Sequence, residues 1–319
     1  MKYFYACIIC LFLSAQVLAG PESAGRIFVT NEQSNTISVI DGNSNQVEAT
    51  IEVGKRPRGI GLSPDKSELY VALGDEDAIA VVDPVSLKVV RKFAAGSDPE
   101  AFAVHPVSGY LYISNEDDAK ASAFDPKTGD KVIEIPVGLE PEGVAISPDG
   151  SKVIITSEST NMLHVISIPE HKIVNNILVS ARPRAATFSK DGKIAYATAE
   201  IGGEVIKVDV ASGKILKENP VGGEKAKPKD ILLSKDEKRL YVAGGRADKV
   251  FVLDVDSLDV ITAIPVGKRV WGLGMSTDGK RIYTTDGVSG TVSVIDTDKN
   301  ENVATIQVGE FPWGVVVYD

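Results

Sequence analysis

The sequence predicts an all-β fold, a seven-bladed β-propeller of four-stranded antiparallel blades. Three observations carry that prediction. Its 319 residues include 29 Gly and 16 Pro, a content that argues against long uninterrupted helices. An apolar run closes at Gly54, Gly96, Gly138, Ser180, Gly222, Gly267 and Gly309, at intervals of 42 residues with a single interval of 45. A second marker, Asp41, Asp83, Asp125, Ser167, Asp209, Asp254 and Asp296, repeats with the same intervals and the same exception. Two markers in one register mean seven units, and repetition accounts for a length beyond what one ordinary core serves.

The chain opens on an address. Lys2 precedes an apolar run from Tyr3 to Leu13, and Val17-Leu18-Ala19 supplies a cleavage site before Gly20. Residues 1–19 therefore read as a signal peptide, too short for a bilayer span of roughly 20 apolar residues. The expectation is a periplasmic or secreted protein with no membrane anchor after processing, and a single propeller domain over residues 20–319. Both cysteines, Cys7 and Cys10, fall in the leader, so packing alone must hold the rest. The net charge of −10 makes nucleic acid an unsuitable partner.

Within each unit the pattern is four short strands between turn signals. In the second copy these are Gly59 to Ser63, Glu68 to Ala72, Ala78 to Asp83 and Lys88 to Phe93. Ser63-Pro64-Asp65 recurs as Ser147-Pro148-Asp149-Gly150, Ser189-Lys190-Asp191-Gly192 and Ser276-Thr277-Asp278-Gly279, and Pro, Asp and Gly supply the backbone angles of hairpin corners. Four strands in about 42 residues is a propeller blade. The repeat starts out of phase, at a second-strand sequence from Arg26 to Thr30, and ends on a first-strand sequence from Trp313 to Tyr318. The last strand should complete the first blade, in a monomer.

Phe28-Val29-Thr30-Asn31, Leu69-Tyr70-Val71-Ala72 and Leu111-Tyr112-Ile113-Ser114-Asn115 resemble the Y-V-T-N signature of bacterial exported propeller repeats. More specifically, the chain resembles the seven-repeat propellers associated with pyrroloquinoline quinone (PQQ)-dependent alcohol catabolism. The resemblance rests on blade-specific strings such as Arg56-Pro57-Arg58-Gly59, Glu140-Pro141-Glu142-Gly143, Ala181-Arg182-Pro183-Arg184, Arg269-Val270-Trp271 and Phe311-Pro312-Trp313-Gly314. It departs at Gly222 to Asp230, which is shorter than the family's loop. The resemblance implies a periplasmic accessory of a quinoprotein system, with a quinoprotein dehydrogenase or a c-type cytochrome as partner.

In a repeat protein the residues that break the consensus are the better functional candidates. One aligned position before each first strand reads Arg58, Glu100, Glu142, Arg184, Lys229, Trp271 and Trp313, a ring that the resemblance places at one mouth of the central channel. Two indoles beside guanidinium groups suit a planar anion, since Arg offers a bidentate fork and Trp a broad face; PQQ is such a ligand. The same residues also suit salt bridges between blades. A second aligned set, Glu32, Glu116, Glu158 and Glu200, lies in the loop between second and third strands. It reads as a solvated acidic rim that could steer a basic partner, although carboxylate clusters also hold calcium-like ions. The three-residue insertion brings Lys225, Lys227 and Lys229 near Arg182, Arg184 and Arg246, an anion-attracting sector.

Catalytic motifs are absent. His105, His164 and His171 sit at unrelated repeat phases, which denies a metal triad, and no C-x-x-C-H site for covalent haem exists. There is no G-x-S-x-G nucleophile elbow and no phosphate-binding glycine loop. The leading expectation is a non-catalytic binding scaffold. The alternatives are a channel-mouth hydrolase of lactonase type, a chemistry that propellers also host, and a purely structural interaction propeller.

Overall fold

The computed structural model describes residues 25–223 and 226–319. The expected signal peptide, both cysteines and Lys225 of the insertion lie outside the described residues. Among the described residues twenty-eight strands, β1–β28 in chain order, form seven four-stranded sheets. The second copy shows the unit: β4 (Pro57–Leu62), β5 (Leu69–Leu73), β6 (Ala78–Asp83) and β7 (Lys88–Ala94) pair antiparallel in sequence order. Among the described residues no helix is long and apolar enough to cross a membrane.

Apolar residues run almost continuously along the middle strands because both faces of each blade are covered. Leu69, Val71 and Leu73 of β5 pack against Phe28, Ile37 and Val39 of the preceding blade. The alternate residues Tyr70 and Ala72 pack against Leu111 and Ile113 of the following one. Successive side chains of a strand point to opposite faces, so one strand serves two interfaces. The outer strand β7, by contrast, alternates exposed and half-buried residues along its whole length.

Closure occurs as the phase of the repeat predicts. The strand β28 (Pro312–Tyr318) pairs antiparallel with β1 (Arg26–Asn31), with Arg26 opposite Tyr318 and Phe28 opposite Val316. The first blade is thus ordered β28, β1, β2 (Thr36–Asp41), β3 (Gln46–Glu52). Phe28 and Tyr318 meet edge to face at 6.2 Å.

The Ser-x-Asp corners are hydrogen-bonded units. Ser63 Oγ donates to Asp65 at 2.7 Å and accepts the Glu68 N–H at 3.0 Å. His105 takes the serine slot in the third blade: its Nδ1 accepts the N–H groups of Val107 and Ser108, and its Nε2 meets the Gly150 carbonyl at 3.0 Å. His164 accepts the Gly138 N–H, and His171 bonds the Tyr112 hydroxyl. Each histidine is held at a separate structural post.

Candidate functional site

The first strands line the channel, and the linker before six of the seven is built alike. Arg56, Asp98, Glu140, Arg182, Arg269 and Phe311 all take left-handed φ angles between 42° and 63°. That conformation is uncommon outside glycine, and here it turns the residue's carbonyl toward the loop between second and third strands. The N–H groups of Gly74, Glu116, Glu158, Glu200, Gly287 and Glu32 donate to those six carbonyls in turn. One backbone device therefore fixes the linker and sets the loop carboxylates beside it.

A second device fixes the ring residues themselves. Hydroxyls on the second strands donate to ring carbonyls of the next blade: Thr30 to Arg58 at 2.8 Å, Ser114 to Glu142 at 2.6 Å, Thr156 to Arg184 at 3.1 Å, Thr198 to Lys229 at 2.6 Å and Thr285 to Trp313 at 2.7 Å. The residue after each ring position is small, namely Gly59, Ala101, Gly143, Ala185, Gly272 and Gly314, with Asp230 the exception. A Cβ at Gly143 would lie 2.2 Å from the Arg184 carbonyl oxygen, and one at Gly314 would lie 2.6 Å from that of Arg58. Glycine permits this close approach of neighbouring blades.

All seven ring residues converge as the alignment predicts, but they form no open basket. Glu100, Glu142, Arg184 and Lys229 expose only 0, 3, 6 and 7% of their surface. Arg58 bonds Glu100 and lies 3.1 Å from Glu32, while Arg56 reaches Glu100 at 2.7 Å and also bonds Asp98. On the other side, Arg184 bonds Glu158 and lies 2.7 Å from Glu142. Arg182 bridges Glu158 at 2.7 Å and Glu200 at 3.2 Å. Lys229 reaches past the intervening blade to bond Glu142.

Two expectations are corrected by this wiring. The loop acids are not a solvated rim: Glu32, Glu158 and Glu200 are consumed by Arg58, Arg182 and Arg184. Glu116, half-buried, instead faces Glu100, and burial first and that neighbour second push its pKa up to about 8. Nor do Lys229, Arg182 and Arg184 make a free cationic sector, since each is matched by a carboxylate; Lys227 and Arg246 stand apart from these pairs. Oxygens of Asp98, Glu100 and Glu116 lie within 4.8 Å of one another, with Arg56 and Arg58 already bonded to the first two.

The two indoles are also engaged. The Lys229 Nζ lies 4.7 Å from the Trp313 ring centre and 5.1 Å from that of Trp271, and the Arg269 guanidinium covers Trp271 at 4.6 Å. Arg58 lies 5.9 Å from Trp313. Cation–π contacts of this kind are worth more once desolvated, so the tryptophans steady the buried ammonium group.

Directly against the ring lies a channel cavity of about 420 Å³, lined at one end by Glu142, Arg184, Lys229, Asp230, Trp271 and Trp313. Burial opposes the Glu142 charge, yet Arg184, Lys229 and Arg58 overcome it and hold the carboxyl well below the usual range. Asp230 goes the other way, raised by burial and only partly relieved by the Leu273 and Ile231 N–H groups, which bond its two oxygens at 2.8 Å each. Sequence reasoning passed over Asp230. Its signal was present, the one acidic residue in an aligned column of Gly and Ala. Asp230 also reaches to the seventh blade where Ala243 has no hydroxyl to do so.

Comparisons with known proteins agree with this architecture. The family described as "Lactonase, 7-bladed beta-propeller" matches residues 144–309, just over half of the chain and including Arg184, Lys229, Asp230 and Trp271. A search of curated proteins finds no match. Among solved structures, Kuenenia stuttgartiensis hydrazine synthase is similar at 23% identity and TM-score 0.75, over 82% of this chain and 89% of that one. A Desulfotomaculum acetoxidans protein of unknown function is similar at 16% identity and TM-score 0.80, over 92% and 98%. A Bacteroides fragilis protein, provisionally described as a 6-phosphogluconolactonase, is similar at 18% identity and TM-score 0.80, over 93% and 99%. At these identities the structures speak for the fold alone. With more than half its length matched, the chain belongs to the family of seven-bladed β-propeller lactonases.

Proposed function

We propose that the protein hydrolyses lactones in its central channel. The observation that carries this reading is the convergence of Lys229, Arg184, Glu142 and Asp230 at one end of the cavity, supported by the family match. Each Asp230 oxygen accepts one backbone N–H and retains a further acceptor direction. One of them takes a proton from water as the hydroxide attacks the ring carbonyl. The developing oxyanion faces Lys229 and Arg184, where preorganised positive charge is most effective. Collapse breaks the ring C–O bond, and protonated Asp230 returns its proton to the leaving alkoxide. Glu142 stays ionised throughout and holds the two cations in place.

Purified protein tested on a panel of γ- and δ-lactones should show hydrolysis, read as acid release. Asp230→Asn should lower kcat about a hundredfold or more and abolish the acidic limb of the pH profile. Its amide oxygen keeps one of the two backbone N–H groups and leaves the other facing a donor, a cost of about 1–3 kcal/mol, so a melting curve verifies that the variant is folded. An inert wild-type protein across the panel would refute the reading.

A second reading, an accessory that binds PQQ for an alcohol-oxidising quinoprotein, rests on the two tryptophans beside the cationic groups. It has less support, because the indole faces and guanidinium forks are already taken by Lys229, Arg269 and the ring carboxylates. A PQQ titration of the same sample separates the two.

A further inference from the structure

The charged end of the channel is electrically balanced. Among the described residues the cavity is lined by four ionisable side chains, Arg184 and Lys229 against Glu142 and Asp230, and both cations bond Glu142. No positive charge is left over for a phosphate or carboxylate on the substrate, and a dianion would have to displace Glu142 from two partners at once. Burying such an unpaired charge is expensive.

The side chains along the rest of the cavity are mostly apolar, while the free inner edges of the first strands add backbone polar groups. Ile60, Phe102, Val144, Phe188, Leu232 and Val315, drawn from six different first strands or their edges, make its wall. Thr187 is the one hydroxyl-bearing residue in that lining. Several wall residues, among them Ile60, Phe102, Val144 and Leu232, remain half-buried and so are reached by solvent. At about 420 Å³ the space falls within the range that encloses small organic ligands. A sugar lactone would bury little apolar surface against these side chains, whereas an aliphatic tail would bury much.

From the neutral charged end and the apolar wall together we infer that the channel takes an uncharged lactone bearing an aliphatic tail, with the lactone ring at Lys229 and Asp230 and the tail along Phe102, Val144 and Phe188. This assignment rests on the hydrolase reading for the head of the molecule, but the tail site has its own evidence. Each methylene moved from water to such a wall should improve kcat/KM roughly fourfold.

The test compares γ-butyrolactone, γ-octalactone and γ-dodecalactone with glucono-δ-lactone on the full-length protein. In parallel, the non-hydrolysable γ-lactam analogue of γ-dodecalactone is titrated while Trp271 and Trp313 fluorescence is followed. The expected result is a kcat/KM that climbs with tail length until the channel is filled, little turnover of the sugar lactone, and saturable quenching by the lactam. Ala186 also lines the cavity, so Ala186→Phe should cut the preference for γ-octalactone over γ-butyrolactone by about tenfold or more, and Phe102→Ala should shift the preferred tail length; a melting curve verifies that each variant is folded. Turnover independent of tail length would overturn the tail site and leave the hydrolase standing. Saturable lactam binding without turnover of any lactone would support the tail site and remove the hydrolase. Neither binding nor turnover would overturn both.

Discussion

At the residue scale, burial pushes both Lys229 and Glu116 toward their neutral forms, the first with partners around it and the second without. Lys229 has a carboxylate partner and two indoles around it, which offset only part of the burial that, with the Arg184 charge, holds its pKa below the usual lysine value. Glu116 has no cation bonded to it and faces Glu100. Its pKa in the folded protein, about 8, lies above the usual carboxyl value of 4.5, so the folded state binds the extra proton. For a raised carboxyl, stability is highest at low pH and falls as pH climbs from about 4.5 through 8. Because Glu116 is partly exposed, solvent screening trims the effect to about 1–2 kcal/mol. Urea unfolding at pH 6 and pH 9 should show that loss in the wild type. Glu116→Gln, which keeps a donor toward Glu100, should remove most of it.

At the scale of elements, the side-chain hydroxyls between blades tie fold to site. Thr198 donates to the Lys229 carbonyl and accepts the Ala185 N–H at 3.2 Å, so it holds both the fifth-blade strand and the sixth-blade ring residue. Thr198→Val keeps the shape and leaves both backbone groups unsatisfied, at a cost of about 1–3 kcal/mol. Equilibrium unfolding should register that cost, and lactone turnover should fall with it as Lys229 loses its footing. Much of this level is legible in sequence. The aligned positions of Arg58 through Trp313 give the ring its blade order, and Ser63-Pro64-Asp65 gives the corners. What an alignment withholds is reach. It assigns Lys229 to the sixth blade but does not say that its amine crosses to Glu142 of the fourth, or that Glu158 turns inward to Arg184 instead of out to water. Repeat phase fixes direction around the axis, whereas the pairing of long side chains depends on distances across it.

At the scale of the molecule, every blade is wedged between two others, and the first is assembled from both ends of the described chain. Removing residues 311–319 would strip β28 from β1, uncover Phe28 and take Trp313 from the ring. The loss should exceed about 5 kcal/mol, comparable with the whole stability of many domains, and calorimetry should find a greatly lowered transition or none. The fold was legible at this level because period and phase are properties of the whole string. The chemistry was less so, because it depends on Asp230, a single departure from a column of small residues. The pairing of Arg26 with Tyr318 has one further consequence. With these two residues side by side, a short linker from Asp319 to Gly25 would make the described chain a continuous loop, and an exposed hairpin such as Lys127-Thr128 could be cut in its place. The position of the break is then arbitrary with respect to the channel, so a circularly permuted chain would carry the same ring, cavity and wall.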